Sequence, residues 1–382
     1  MHHEGWVAVA LDELRAKHLE RRLRVWPDGR GGEAWLDFSG NDYLGLSRHP
    51  DVLAAAHRSL ETYGAGARAS RLMSGMLPCH EELESRLAEF KGYPSALVFG
   101  SGYHANVGTV PAVVGRDDHV FADRLVHASI IDAIVLSRAA LQRFQHNDPE
   151  HLRQLLRKAS SKGRRLVITE SVFSMDGDCA PLAALAASAT EAGAMMMVDE
   201  AHATGVMGPM GCGMVGELGL TGDVNLSMGT LSKALGSFGG FVACSASMRD
   251  LLVNRARAFI YSTALPPAAV GAALGSLDVL RRNPHMGEEL LRRAAHLREL
   301  LRPEGIDMGK STTQIIPITV GSSATAMALA EALRGQGILV VAVRPPTVPE
   351  GTARLRLSVT LAHSSADLER AASVIVGEMR RL

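Results

Sequence analysis

The stretch from Thr230 to Gly240 (Thr-Leu-Ser-Lys-Ala-Leu-Gly-Ser-Phe-Gly-Gly) sets one lysine, Lys233, among hydroxyls and glycines, just after an apolar run and with no other charge in the segment. An amine held there loses its proton cheaply, because burial disfavours the ammonium, and a neutral lysine is a nucleophile able to form a Schiff base with a carbonyl. Thr230 and Ser232 offer hydroxyl donors to a phosphate, and the glycines let backbone approach a flat ligand. A lysine seen alone is most often a solvated surface residue, so this chemistry depends on what the rest of the chain brings to it.

Asp199 follows the apolar run Ala194-Met195-Met196-Met197-Val198, which puts its carboxylate at the dry end of a strand and calls for a cationic partner or several hydrogen bonds. Taken alone it reads equally as the cap of a following helix. With a Schiff-base lysine downstream it reads as the partner of a pyridinium nitrogen, the arrangement that keeps pyridoxal phosphate (PLP) electron-withdrawing. His202 then reaches either the cofactor's phenolic oxygen or a structural partner. His127 stacks on an aromatic cofactor or caps a helix. The turn Gly100-Ser101-Gly102-Tyr103 before a helical pattern offers backbone N–H groups to a phosphate. Arg354-Leu355-Arg356-Leu357 alternates strictly, so both arginines share one face, either clamping a carboxylate or facing solvent from an edge strand.

The elements that must position these residues are α/β in pattern. Short apolar runs alternate with helical ones, predicting strands at Ala96–Phe99, His119–Ala122, Leu141–Phe144, Leu166–Glu170, Ala194–Val198, Val224–Met228 and Phe241–Cys244. Parallel strands joined by crossover helices form open sheets whose ligands gather beyond the carboxyl ends, where Asp199, Thr230 and the glycine turn fall. An amphipathic helix is expected over Val7–Arg24, packed on the body and ending in the basic run Arg21-Arg22-Leu23-Arg24, with a turn over Gly29–Gly32 and a short strand over Trp35–Phe38. A charged helix over Glu288–Leu301 leads to strands at Ile315–Val320, Val340–Val343 and Arg354–Val359 and to helices at Ala324–Gln336 and from Ser365. The domains read as an N-terminal arm (residues 1–47), a large α/β domain (48–282) and a small C-terminal α+β domain (283–382).

Forty basic residues balance forty acidic ones in 382, so no net field draws the chain to nucleic acid or an anionic membrane. No apolar run is long enough to span a bilayer and no signal peptide is visible, which points to the cytoplasm. The four cysteines lie more than thirty residues apart, matching no zinc or disulfide spacing.

Five motifs in one order carry a resemblance over almost the whole chain: Asn-Asp-Tyr-Leu-Gly-Leu-Ser from Asn41, Asp-Arg-Leu-Val-His-Ala-Ser from Asp123, Thr-Glu-Ser-Val-Phe-Ser-Met-Asp-Gly-Asp from Thr169, Val-Asp-Glu-Ala-His from Val198 and Thr-Leu-Ser-Lys from Thr230. They resemble the α-oxoamine synthases, which are fold-type-I PLP-dependent transferases. The resemblance implies a large domain with a mostly parallel seven-stranded sheet, PLP as cofactor, and a homodimer with sites at the subunit interface. It implies that Lys233 binds the cofactor and later moves the substrate's α-proton, that Asp199 meets the pyridinium, His202 the phenolic oxygen and His127 the ring face. Ser174, Thr230, Gly102 and Tyr103 match cofactor contacts. Arg356 matches the clamp for an amino acid's carboxylate, and Arg21, Asn41 and Thr347 match substrate-contact positions, with His127 also reaching the thioester. Arg-Pro-Pro-Thr-Val-Pro, from Arg344, is most similar to the branch of the family that joins L-alanine to a pimeloyl thioester, carried by CoA or a carrier protein. Other branches join glycine or serine to other acyl thioesters. Where relatives are rich in glycine and serine, this chain has Gly64-Ala65-Gly66-Ala67-Arg68-Ala69-Ser70-Arg71, and each alanine narrows the backbone's freedom. A non-catalytic subunit of the same fold is disfavoured by the presence of Lys233, and a DNA-binding regulator by the neutral charge.

Overall fold

The structure is a computed structural model that describes residues 4–17, 19–21, 23, 25, 35–160 and 162–381. The expected turn over Gly29–Gly32, and Arg22 and Arg24 of the basic run, lie outside the described residues. The N-terminal helix is Gly5–Ala16, shorter than expected, and none of its residues is buried. Its apolar stripe runs through Val7, Leu11 and Leu14 and would continue at residue 18, whereas Leu19 falls one place late and its N–H bonds back to the carbonyl of Leu14 (2.8 Å). The expected packing on the body is also absent: Trp6 and Val9 stay 71% and 59% exposed.

A short strand β1 (Leu36–Asp37) is followed by helices Pro50–Tyr63 and Pro78–Lys91. Seven strands then build the main sheet: β2 (Ser95–Phe99), β3 (His119–Asp123), β4 (Ala140–Phe144), β5 (Arg165–Glu170), β6 (Met195–Asp199), β7 (Leu226–Thr230) and β8 (Gly240–Cys244). Their spatial order is β2-β8-β7-β6-β5-β3-β4. β3 to β7 are mutually parallel, while β8 runs antiparallel to both neighbours. The sequence pattern grouped β8 with the crossover strands. The connection from Thr230 to Gly240 is too short to hold the crossover of roughly a dozen residues that a parallel return needs, so the chain folds back as a long-looped hairpin. Helices Gly102–Val113, Ala128–Ser137, Pro149–Lys158 and Leu182–Glu191 connect the parallel strands.

Burial explains why these runs became strands. Val167, Ile168, Met196, Met197, Val198 and Leu226 are fully excluded from water, on both faces of the sheet, and each such side chain contributes roughly 1.5–3 kcal/mol of burial energy before chain entropy is set against it. Helix Pro267–Arg282 lies across Pro50–Tyr63 at close range. A Cβ on Gly271 would sit 2.6 Å from the carbonyl oxygen of Ala55, so glycine sets that approach.

Past helix Met286–Leu301 the chain forms β9 (Ile315–Gly321), β10 (Ile338–Leu339), β11 (Val341–Val343) and β12 (Ala353–Ser358). β12 is the centre of an antiparallel sheet ordered β11-β12-β9, with helices Ser323–Gly335 and Ser365–Met379 beside it. β1 pairs in parallel with β10. The loop after β1 is stitched to the end of β12 through Ser358 N–H to the Phe38 carbonyl (2.7 Å) and Leu361 N–H to the Tyr43 carbonyl (2.9 Å). That seam carries the residues between Asn41 and Tyr43 to the same place as Arg356.

Candidate active site

The carboxyl ends of β2, β5, β6 and β7 surround a cavity of about 240 Å³. Asp199 ends β6 with Glu170 of β5 as its register partner on one side and Met228 of β7 on the other. Its buried carboxylate accepts from Asn106 Nδ2 (3.0 Å) and from the N–H of Ala201 (2.9 Å). Asn106 Nδ2 also reaches Ser129 Oγ (2.9 Å). Glu170 Oε1 accepts from the N–H of His127 (2.5 Å), and burial, with Asp199 adding to it, pushes the Glu170 carboxyl well above the usual range.

Lys233 sits in the loop between β7 and β8, half-buried in the cavity wall, with Nζ 2.7 Å from His202 Nε2. Burial pushes the amine down to about 8; Asp199 and Glu170 resist that shift, and Arg356 adds to it. His202 is pushed well below its usual range by burial, with Lys233 and Arg356 contributing, so its imidazole is neutral. The easily deprotonated amine expected at Lys233 is thus matched by a downward shift caused by burial, and its contact with His202 is one the sequence did not suggest.

His127 takes the helix-capping role, one of the two the sequence left open, and its ring also lines the cavity. Its Nδ1 caps helix Ala128–Ser137, accepting from the N–H of Ser129 (3.2 Å). Because Nδ1 accepts, the hydrogen of the neutral ring is on Nε2, and burial keeps the ring neutral by lowering its pKa. Opposite, Ser101 caps helix Gly102–Val113 by accepting from the N–H of His104 (3.0 Å). The N–H groups of Gly102 and Tyr103 then belong to the first turn, where helix geometry provides no internal partner. The Tyr103 hydroxyl turns away to Asp132 Oδ2 (2.8 Å). The Thr230 and Ser232 hydroxyls both donate to the carbonyl of Gly239 (2.9 and 3.2 Å), so meeting a phosphate requires them to rotate.

Arg356 is buried, which rules out the solvent-facing edge-strand alternative, since β12 is central. Its Nε donates to the Ser174 carbonyl (2.5 Å), Nη1 to Ser358 Oγ (2.8 Å) and Nη2 to Asn41 Oδ1 (3.3 Å). Arg354, on the same face as expected, pairs with Asp176 (2.5 Å). Ser174 thus enters through its backbone. Thr347 lies on an exposed turn, its N–H bonded to the Arg344 carbonyl (3.1 Å), and Arg21 is exposed, near enough to Arg344 to help burial lower that residue's pKa. Neither lines the cavity of a single chain. Reading the residues marks Glu170 only as a strand end and gives no role to Tyr43, Asn106, Ser129 or Glu170. Asn106 was findable as the residue one helical turn beyond Gly102 on the same face.

The profile of the class I and II aminotransferases matches residues 33–375, so the chain belongs to that family. Within it, a Geobacter sulfurreducens 8-amino-7-oxononanoate synthase is 47% identical over 97% of this chain and 96% of its own length, and the enzyme of the same name from Anaeromyxobacter dehalogenans is 47% identical over 95% and 93%. The chain belongs to the 8-amino-7-oxononanoate synthase family. Among solved structures, a serine palmitoyltransferase from S. paucimobilis with a bound PLP–myriocin aldimine superposes with TM-score 0.93 at 30% identity, covering 99% of this chain and 98% of that one. An 8-amino-7-oxononanoate synthase from Francisella tularensis does so with TM-score 0.79 at 30% identity, covering 91% and 98%. No helix among the described residues is long and apolar enough to cross a membrane.

Proposed function

We propose that the chain joins L-alanine to a pimeloyl thioester with loss of carbon dioxide, giving 8-amino-7-oxononanoate and the free thiol, with PLP as cofactor. The observation that carries the reading is an amine in the cavity wall, Lys233, linked by a chain of short contacts through His202 and Tyr43 to the buried guanidinium of Arg356. Lys233 Nζ meets His202, and His202 Nδ1 lies 2.7 Å from the Tyr43 hydroxyl, which lies 3.4 Å from Arg356 Nη2. That spacing suits an amino acid whose carboxylate is held while its α-carbon reacts.

The residues fit PLP on three counts. Asp199 has its neutral donors on the protein side and presents a buried anion to the cavity, as a protonated pyridine requires. The first turn of a twelve-residue helix supplies N–H groups for the phosphate. Between them lies an amine whose pKa of about 8 leaves a useful neutral fraction near neutral pH. When bound, PLP supplies an electron sink for the pair left at the amino acid's α-carbon.

Lys233 Nζ is the amine available to hold the cofactor's aldehyde carbon and, once free, to take the α-proton. Arg356 and Asn41 hold the carboxylate. His127, neutral with its hydrogen on Nε2, donates to the thioester oxygen as negative charge grows there. His202 faces the phenolic oxygen. The working unit is a homodimer in the cytoplasm: uncovered apolar side chains at Trp6, Val9, Met73 and Tyr261, with Arg21 and Thr347 outside the single-chain cavity, support a second chain completing the site.

Serine palmitoyltransferase-like chemistry is the second reading, favoured by the higher TM-score. Identity of 47% against 30%, at similar coverage, favours alanine and pimeloyl. Thiol release measured side by side with alanine and pimeloyl-CoA, glycine and acetyl- or succinyl-CoA, and serine and palmitoyl-CoA decides between them. Faster release with any pair other than the first overturns the substrate assignment. Borohydride reduction with PLP followed by peptide mapping must label Lys233, and a label elsewhere overturns the site.

A further inference from the structure

The polar chain that starts at Lys233 runs on through a residue to which the proposed mechanism gives no role. Tyr43 is completely buried, and its hydroxyl oxygen lies 2.7 Å from His202 Nδ1, 3.1 Å from Asn41 Oδ1 and 3.4 Å from Arg356 Nη2. Counting hydrogens limits what it can do. Arginine only donates, so the Tyr43 oxygen accepts from Arg356. Burial raises the phenol's pKa, so it keeps its single hydrogen, for which Asn41 Oδ1 and His202 Nδ1 compete; the Gln314 amide, whose Nε2 donates to the His202 carbonyl (2.9 Å), also faces the hydroxyl and acts on it as a donor.

One of the two choices dictates the state of Lys233. If Tyr43 donates to Asn41, His202 carries its hydrogen on Nδ1 and gives it to Tyr43, leaving a lone pair on Nε2 that accepts from Lys233. If Tyr43 donates to His202, the imidazole hydrogen is on Nε2 and points at Lys233 Nζ, which must then be a neutral amine. A charged Lys233 is therefore compatible with only one orientation of the Tyr43 hydroxyl, and the other becomes accessible when the amine loses its proton.

We propose that Tyr43 is a positioning residue whose hydroxyl sets the tautomer of His202 and so couples the carboxylate site at Arg356 to the basicity of Lys233. Arg356 Nη2 also donates to Asn41 Oδ1. A carboxylate drawing Nη2 to itself leaves Asn41 Oδ1 as the better acceptor for Tyr43, which turns the His202 lone pair towards Lys233 and makes the amine a stronger base when substrate is in place. The other charged or titratable groups acting on Lys233 and His202 are Asp199, Glu170, His127 and Arg356, and all remain when only the hydroxyl is removed.

This inference rests on the reading of Lys233 as the reacting amine. The test uses the full chain and its Tyr43→Phe variant, labelled with 15N-histidine, the His202 signals being assigned by their loss in His202→Gln. In the unsubstituted chain without PLP, the hydrogen is expected on Nδ1 at low pH and on Nε2 once Lys233 has lost its proton. Propionate, an unreactive carboxylate, is expected to move that change upward by a factor of about three in acidity, about 0.5 pH. In a folded Tyr43→Phe variant the tautomer change and the propionate response are expected to vanish. If both persist, the proposal is overturned. Should Tyr43→Phe not fold, Asn41→Ala carries the test: without the competing acceptor, His202 is expected to hold its hydrogen on Nε2 at every pH, and a persisting change overturns the proposal. Failure of PLP to attach at Lys233 would overturn the functional reading instead, while the measurement without PLP still decides the role of Tyr43.

Discussion

Lys91 Nζ and Glu200 Oε2 meet at 2.5 Å with both side chains excluded from water. Lys91 ends a helix that begins at Pro78, and Glu200 is the residue between Asp199 and Ala201, so this pair ties the site's floor to the outer layer. Glu200 also accepts from the N–H of Val215 (2.9 Å) and from Ser227 Oγ (2.9 Å), and Lys91 donates to the Cys212 carbonyl (2.5 Å). Removing one member leaves a charge buried without its counterion. Lys91→Met is therefore expected to cost about 3–5 kcal/mol in urea unfolding, and adding Glu200→Gln to it is expected to recover more than 1 kcal/mol, because a neutral amide replaces the stranded anion. Strictly additive single and double variants would contradict this.

The depressed pKa of Lys233 has a consequence for stability in the chain without PLP. The amine's pKa falls from 10.5 in the unfolded chain to about 8 in the fold. Between those values the unfolded state binds more protons, so stability rises with pH across that window. Below pH 8 the folded chain carries the whole penalty of a buried ammonium. Lys233→Met is thus expected to be more stable than the unsubstituted chain at pH 7 by an amount on the order of 3 kcal/mol, with the difference fading towards pH 10.5. Urea midpoints at pH 7 and pH 10 check it, and a gap independent of pH would count against a buried, charged Lys233.

The strand ends were legible because an apolar run closing on a polar residue is what a buried parallel strand looks like. Met196-Met197-Val198-Asp199 shows it most plainly. The sequence pattern sets β7 two residues early. Val224 begins the apolar pattern, but Asn225 uses its side chain to accept from the N–H of Met196 (2.7 Å), and the strand starts at Leu226, which carries Thr230 into the sheet. The alternation at Arg354 and Arg356 gave a shared face without saying that the face is buried. That depends on β12 being the central strand, a property of pairing and not of spacing. The contact between Tyr43 and Arg356 spans 313 residues. Nothing local records it, because the seam between the loop after β1 and the end of β12 forms only when the chain closes.

His146 is held between two carboxylates, with Nδ1 3.1 Å from Asp123 Oδ1 and Nε2 2.9 Å from Asp178 Oδ2, and its ring packs edge-on against Phe173. Burial opposes the charge, but the hydrogen bonds to Asp123 and Asp178 outweigh it and push the imidazole up to about 9. A folded pKa above the unfolded value of 6.5 means that this stabilisation is complete below pH 6.5 and is lost as pH rises through about 9. With the side chain 18% exposed, solvent screening reduces the effect to about 1–2 kcal/mol. His146→Gln is expected to flatten the stability profile between pH 6.5 and pH 9, measured by urea unfolding. An unaltered slope would mean that the imidazole is not charged in the fold.

The glycine-poor loop from Gly64 to Arg71 carries its strain at one position, and that position is not an alanine. Arg68 has φ +69°, in the left-handed region, while Ala65, Ala67 and Ala69 are not among the residues with positive φ. An L-residue held there is disfavoured by roughly 1–2 kcal/mol, and the side chain of Arg68 is exposed, so little packing would be lost with it. Arg68→Gly removes that strain but also widens the unfolded ensemble, an opposing effect of about 0.4–1 kcal/mol. The expected net result is a gain of about 0.5 kcal/mol, against a loss of about 0.5–1 kcal/mol for Ala65→Gly, where only the entropic effect operates. The two variants compared by urea unfolding should therefore move in opposite directions. Movement in the same direction would show that the backbone at Arg68 is held by contacts that outweigh its strain.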